Sequence, residues 1–113
     1  MLIVYGIKNC DSVKKALKFL KENNIEYSFR DFKETPVDCD EVNEWLKHTT
    51  IEKLFNSKST TYKKFNLKDL NLSNDEKIKW LCKENLLIKR PVIQCKSDTI
   101  IGYDKDLYEM ELL

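Results

Sequence analysis

The sequence predicts an α/β domain in which an N-terminal βαβ unit and a C-terminal ββα unit share one sheet, with a helical insertion at about residues 36–88. Three observations carry that prediction. An apolar run, an amphipathic helical repeat and an alternating segment succeed one another within residues 2–30; two short β-rich runs follow Pro91; and the stretch between them has helical periodicity with capping signals.

Leu2-Ile3-Val4-Tyr5 reads as a short buried strand broken by Gly6. A helix follows, because Val13, Ala16, Leu17 and Leu20 fall at i, i+3, i+4 and i+7, with lysines on the other side, until Asn23-Asn24 ends the pattern. Ile25, Tyr27 and Phe29 alternate with Glu26, Ser28 and Arg30, the period-2 signature of a strand with one buried face. Strand, helix and strand at this spacing make a βαβ unit with parallel strands.

Asp38 is placed to cap a second helix while Glu41 reaches back, with Cys39, Val42, Trp45 and Leu46 as its apolar stripe. Ile51, Leu54 and Phe55 suggest a short third helix. Ser73 and Glu76 form a capping-box pattern opening another, whose inward face is Ile78, Leu81 and Cys82. Arg90-Pro91 ends the helical stretch. Val92 to Cys95 and Thr99 to Gly102 then read as an antiparallel hairpin around Lys96-Ser97-Asp98, and Leu107, Tyr108, Glu111 and Leu112 close the chain as a helix capped by Asp104. The whole of residues 1–113 is expected to form one domain.

Composition narrows the function classes. Twenty basic and 19 acidic residues give a net charge of +1, and 42% of residues are hydrophobic, so neither a disordered chain nor a strongly basic nucleic-acid-binding module is expected. No apolar run approaches the roughly 18 to 20 residues of a membrane span, and the N-terminus lacks the pattern of a signal peptide, which predicts a cytoplasmic protein. The four cysteines, Cys10, Cys39, Cys82 and Cys95, contain no Cys-x-x-Cys pair, so no metal site is expected; in a reducing compartment four free thiols are. Cys39 and Cys82 on apolar helix faces, and Cys95 in a strand, read as packing residues. His48, the only histidine, falls at a helix end, where it reads as a capping residue rather than a base.

Cys10 is the exception. It stands where a strand has ended and a helix begins, so that unpaired N–H groups and the positive end of the helix dipole face its sulfur and favour a thiolate. Lys8, Lys14 and Lys15 add positive charge nearby, and Asp11 opposes them.

The segments Tyr5-Gly6-Ile7-Lys8-Asn9-Cys10-Asp11-Ser12-Val13-Lys14-Lys15-Ala16, Phe55-Asn56-Ser57-Lys58-Ser59-Thr60-Thr61-Tyr62, Lys89-Arg90-Pro91-Val92-Ile93 and Ile101-Gly102-Tyr103 occur in an informative order. Together they resemble the arsenate reductase (ArsC)/Spx family, and most nearly its YffB-type branch, from residue 1 to about 110. The resemblance implies a thioredoxin-like fold with a helical insertion. It also implies Cys10 as the nucleophile, Asn9, Lys58, Arg90 and Pro91 as groups binding an anion or glutathione, and Pro91 as the cis proline of such folds. Lys58 stands where relatives often carry an arginine, and an ammonium offers a point charge where a guanidinium offers a bidentate fork.

Two departures shape the expected activity. Glutathione-coupled arsenate reductases resemble one another in a histidine shortly before the cysteine and three arginines around the oxyanion; this chain has Gly6 there, and Arg30 and Arg90 are its two arginines. Spx-type regulators typically use a Cys-x-x-Cys switch, and here Val13 takes the second position. The sequence therefore leads to a glutathione-dependent thiol reductase with Cys10 as nucleophile, no tightly bound cofactor, and glutathione or another small thiol, with glutaredoxin, as partners. The alternative is a Spx-like adaptor that binds RNA polymerase, without direct nucleic-acid contact.

Overall fold

Five residues of extended chain, Leu2–Gly6, form the first strand (β1), and Val4 is fully buried in it. The computed structural model describes residues 2–95 and 98–113; Lys96 and Ser97, expected in the hairpin turn, lie outside the described residues. The chain forms two units, one built from the chain up to Asp31 with Arg90–Leu113, the other from Phe32–Lys89.

In the first unit, α1 (Asp11–Glu22) buries Val13, Ala16, Phe19 and Leu20, the stripe the helical spacing predicts. It ends as Asn23-Asn24 implies. Asn24 takes φ 56°, the Ile25 N–H reaches the Leu20 carbonyl and the Asn24 N–H that of Lys21, a Schellman closure in which asparagine supplies the left-handed residue. That closure occupies Ile25, so β2 runs Tyr27–Asp31 rather than starting at Ile25. β3 (Val92–Gln94) and β4 (Thr99–Ile101) complete a sheet of order β2-β1-β3-β4. β1 and β2 are parallel, with Val4 opposite Phe29; β3 is antiparallel to both β1 and β4, with Tyr5 opposite Val92 and Val92 opposite Ile101.

The last helix, α6 (Lys105–Leu112), is capped by Asp104, which accepts from the Leu107 N–H. α1 and α6 join the sheet residues Val4, Ile93 and Ile100 in one apolar core. Tyr108 is its centre: the ring meets Phe19 and Tyr103 edge-on, and the hydroxyl donates to the Gly102 carbonyl at 2.6 Å. Burial pushes its phenol well above the usual tyrosine range. Gly102 itself has φ 81°, a conformation that disfavours a β-carbon at this corner.

The second unit is helical: α2 (Cys39–Trp45), α3 (Ile51–Leu54), α4 (Thr60–Lys64) and α5 (Asn74–Lys83), with 3-10 turns at Leu67–Leu70 and Asn85–Leu87. The predicted caps form. Asp38 accepts from the Glu41 N–H, and Ser73 and Glu76 make a reciprocal capping box. Val42, Trp45, Leu54, Leu67, Leu81 and Leu87 are essentially buried. Asn85 braces the unit from inside: its side chain accepts from the Val37 N–H and donates to the Val37 and Leu81 carbonyls.

One expectation is corrected here. Cys39 and Cys82 are not free thiols filling apolar faces; they are bonded to each other, with Cα atoms 5.1 Å apart. The helix stripes that hold them, on α2 and α5, pack together, and that brings side chains distant in sequence within bonding range. Cys10 and Cys95 are free, and Cys95 packs at the edge of the first unit's core.

No helix among the described residues is long and apolar enough to cross a membrane.

Candidate functional site

Cys10 is the N-cap residue of α1, in extended conformation. Its carbonyl accepts the first helical hydrogen bond, from the Lys14 N–H at 2.9 Å, while its side chain makes no capping bond. A serine or aspartate at an N-cap normally spends its side chain on the first-turn N–H groups; a cysteine leaves them facing a half-buried sulfur. Asn9 and Lys8 precede it and are exposed.

What sets the height of α1 against β1 is Gly6. A β-carbon at this position would come within 2.7 Å of Val13 Cγ2, in the first turn of α1. Val13 is buried and β-branched, so it has one comfortable rotamer in a helix and nowhere to move. A side chain at position 6, histidine included, would push the N-terminus of α1, and Cys10 with it, off the strand. Gly6→Ala is expected to cost about 1 to 3 kcal/mol by overpacking and to slow Cys10 alkylation relative to Cys95. Urea denaturation and mass-resolved alkylation measure the two effects. In the sequence Gly6 reads as a strand breaker and as the residue in place of the histidine of glutathione-coupled reductases; the close approach to Val13 is a tertiary fact.

The Arg90-Pro91 peptide bond is cis, as the resemblance implies. Pro91 is buried directly before β3, and its carbonyl accepts from the Gly102 N–H at 2.8 Å. Because β3 runs antiparallel to β1, the start of β3 and the end of β1 fall at the same end of the sheet. Topology thus places the Cys10 loop and the cis proline at one end of the sheet. Arg90 is half-buried; its Nε is enclosed and has no hydrogen-bond acceptor among the described residues, while other atoms of the residue are engaged. Arg30 lies opposite Tyr5 in the β1–β2 register and stacks on its ring, 5.6 Å from the centroid.

Lys58 belongs to the second unit, in an exposed turn before α4, where its N–H is held by the Asn56 side chain at 3.1 Å. Burial pushes the thiol of the other free cysteine, Cys95, up, and Asp98 and Glu111 add to the shift. Among the described residues no cluster of histidine, cysteine and carboxylate groups could hold a metal ion.

The sequence profile of the ArsC family matches residues 5–110. The chain belongs to the ArsC family. Within it, an uncharacterized protein of Haemophilus influenzae is 34% identical over 110 residues, covering 96% of each chain. The global transcriptional regulator Spx of Listeria innocua is 28% identical over 108 residues, covering 94% of this chain and 82% of the regulator. Among solved structures, a YffB protein superposes with a TM-score of 0.93 at 29% identity, both chains covered completely. A possible arsenate reductase from Streptococcus mutans gives 0.78 at 29% identity, covering 95% of this chain and 97% of that one. The ArsC-type thioredoxin-like fold, βαβ and ββα with a helical insertion, is therefore the architecture of this chain.

Proposed function

We propose that this chain is a cytoplasmic, glutathione-dependent thiol reductase in which Cys10 is the nucleophile and Asn9, Arg90 and Pro91 bind the thiol peptide or an anionic substrate. The observation that carries the reading is a cysteine at the N-cap of α1, at the sheet end where the cis Arg90-Pro91 bond begins β3. A strand that starts at a cis proline presents main-chain groups to which an extended thiol peptide pairs in β fashion. The Arg90 guanidinium adds positive charge for its carboxylate.

Cys10 thiolate attacks one sulfur of a substrate disulfide, expelling the other as a thiolate and forming a mixed disulfide. A glutathione thiolate then attacks Cys10 Sγ, releasing the second substrate thiol and leaving Cys10 glutathionylated. A second glutathione restores Cys10 and departs as glutathione disulfide. Two thiols are oxidised for one disulfide reduced. No second cysteine is needed, in keeping with Val13 at the position where a Cys-x-x-Cys motif would close.

Glutathione turnover of a small mixed disulfide against turnover of arsenate tests the substrate class. With Gly6 for histidine and two arginines in the chain, disulfide reduction is expected to proceed while arsenate reduction with glutathione and glutaredoxin is weak or absent. Robust Cys10-dependent arsenate reduction would overturn that choice. The similarity to Spx favours a second reading, an adaptor on RNA polymerase; binding to a polymerase subunit that survives Cys10→Ser would put it first.

A further inference from the structure

The bonded pair Cys39–Cys82 lies in the second unit and takes no part in the chemistry proposed for Cys10. Cys39 is exposed, Cys82 half-buried, so the bond is reachable from water. Cys82 also forms part of the wall of a groove of about 200 Å³ lined by Phe32, Lys33, Pro36, Lys83 and Glu84.

The two ends of the bond differ in charge. Cys39 is flanked by Asp38, Asp40 and Glu41, a setting that repels an anionic attacker. The groove at Cys82 is lined by Lys33, Lys83 and Glu84, with the Lys83 ammonium 5.3 Å from the centre of the Trp80 ring. Cys82 Sγ lies 3.1 Å from the Ile78 carbonyl oxygen, an acceptor ready for the S–H of the reduced thiol. The helices do not depend on the bond alone, since buried Val42, Trp45 and Leu81 pack the unit and Asn85 holds Val37 to Leu81.

We propose that Cys39–Cys82 is a reversible thiol–disulfide exchange site, opened at Cys82 by a small anionic thiol that enters the groove beside Lys33 and Lys83. The thiolate attacks Cys82 Sγ, the Cys39–Cys82 bond breaks, and Cys39 leaves as a thiolate that takes a proton from water. A second thiolate attacks the external sulfur of the mixed disulfide, giving the symmetrical disulfide of the small thiol and freeing Cys82. Two electrons pass from two small thiols to the pair, and the reverse exchange with that disulfide re-forms the bond.

The test uses the full chain carrying Cys10→Ser and Cys95→Ser, so that failure of the Cys10 reading does not touch it. Mercaptoethanesulfonate, cysteamine and mercaptoethanol serve as anionic, cationic and neutral probes, with opening followed by intact mass and the first adduct located by peptide mass. Per thiolate, the anionic probe is expected to open the bond roughly threefold or more faster than the cationic one, with an advantage that shrinks in salt and reverses in Lys33→Glu/Lys83→Glu. The first adduct is expected on Cys82, with helical circular dichroism retained after opening. An adduct on Cys39, equal or faster reaction of cysteamine, opening only in denaturant, or loss of helicity in Cys39→Ser/Cys82→Ser would each overturn the proposal.

Discussion

Cys10→Ser is expected to lower glutathione-dependent disulfide reduction by on the order of 10³-fold or more while leaving the fold intact. The attacking atom is replaced by a hydroxyl that neither ionises near neutral pH nor forms an exchangeable bond to sulfur. The fold is spared because serine is a better N-cap than cysteine for the first turn of α1, and its side chain can take up the N–H groups the sulfur leaves open. Steady-state turnover checks the first half of this expectation and urea denaturation the second. Equal activity of the serine variant would remove Cys10 from the mechanism.

The largest effect on stability is expected in the other unit, from Trp45→Ala. Trp45 is the bulkiest fully buried side chain, 1% exposed on α2. Its removal is expected to cost about 3 to 5 kcal/mol through lost burial and the cavity left behind. Trp45→Phe keeps an aromatic ring in the site and should cost distinctly less. Chemical denaturation followed by circular dichroism, which does not depend on the lost indole, measures both. A cost below about 1 kcal/mol for the alanine variant would mean that α2 does not carry the core of the helical unit.

How far the sequence alone reaches depends on whether a signal is local. The caps at Asp38, Ser73 and Asp104 are three-residue patterns with a hydrogen bond behind each, and all three form. The Asn24 closure of α1 is similarly local, and the βαβ order follows from chain length and handedness. α4 escaped because it is too short for periodicity to show; the Ser59 side chain that accepts from the Tyr62 N–H was its one available signal. Asn85 has no local signal in the sequence for its reach across to Val37.

The site divides the same way. Cys10 at a strand-to-helix junction is legible from neighbouring residues, and the cis Arg90-Pro91 bond from resemblance. The contact of Gly6 with Val13 and the union of Cys39 with Cys82 join side chains through the packed fold, which no window of sequence contains.

The proposed mechanism makes Cys10 the sulfur that exchanges with glutathione. Its most direct test is to treat the native protein with oxidised glutathione at neutral pH, quench with acid, and locate the adduct by peptide mass. One glutathione on Cys10, formed ahead of any on Cys95, whose half-buried thiol is pushed up, is the result expected. Modification of Cys95 first, or no adduct on Cys10 while the protein remains folded, would contradict the account.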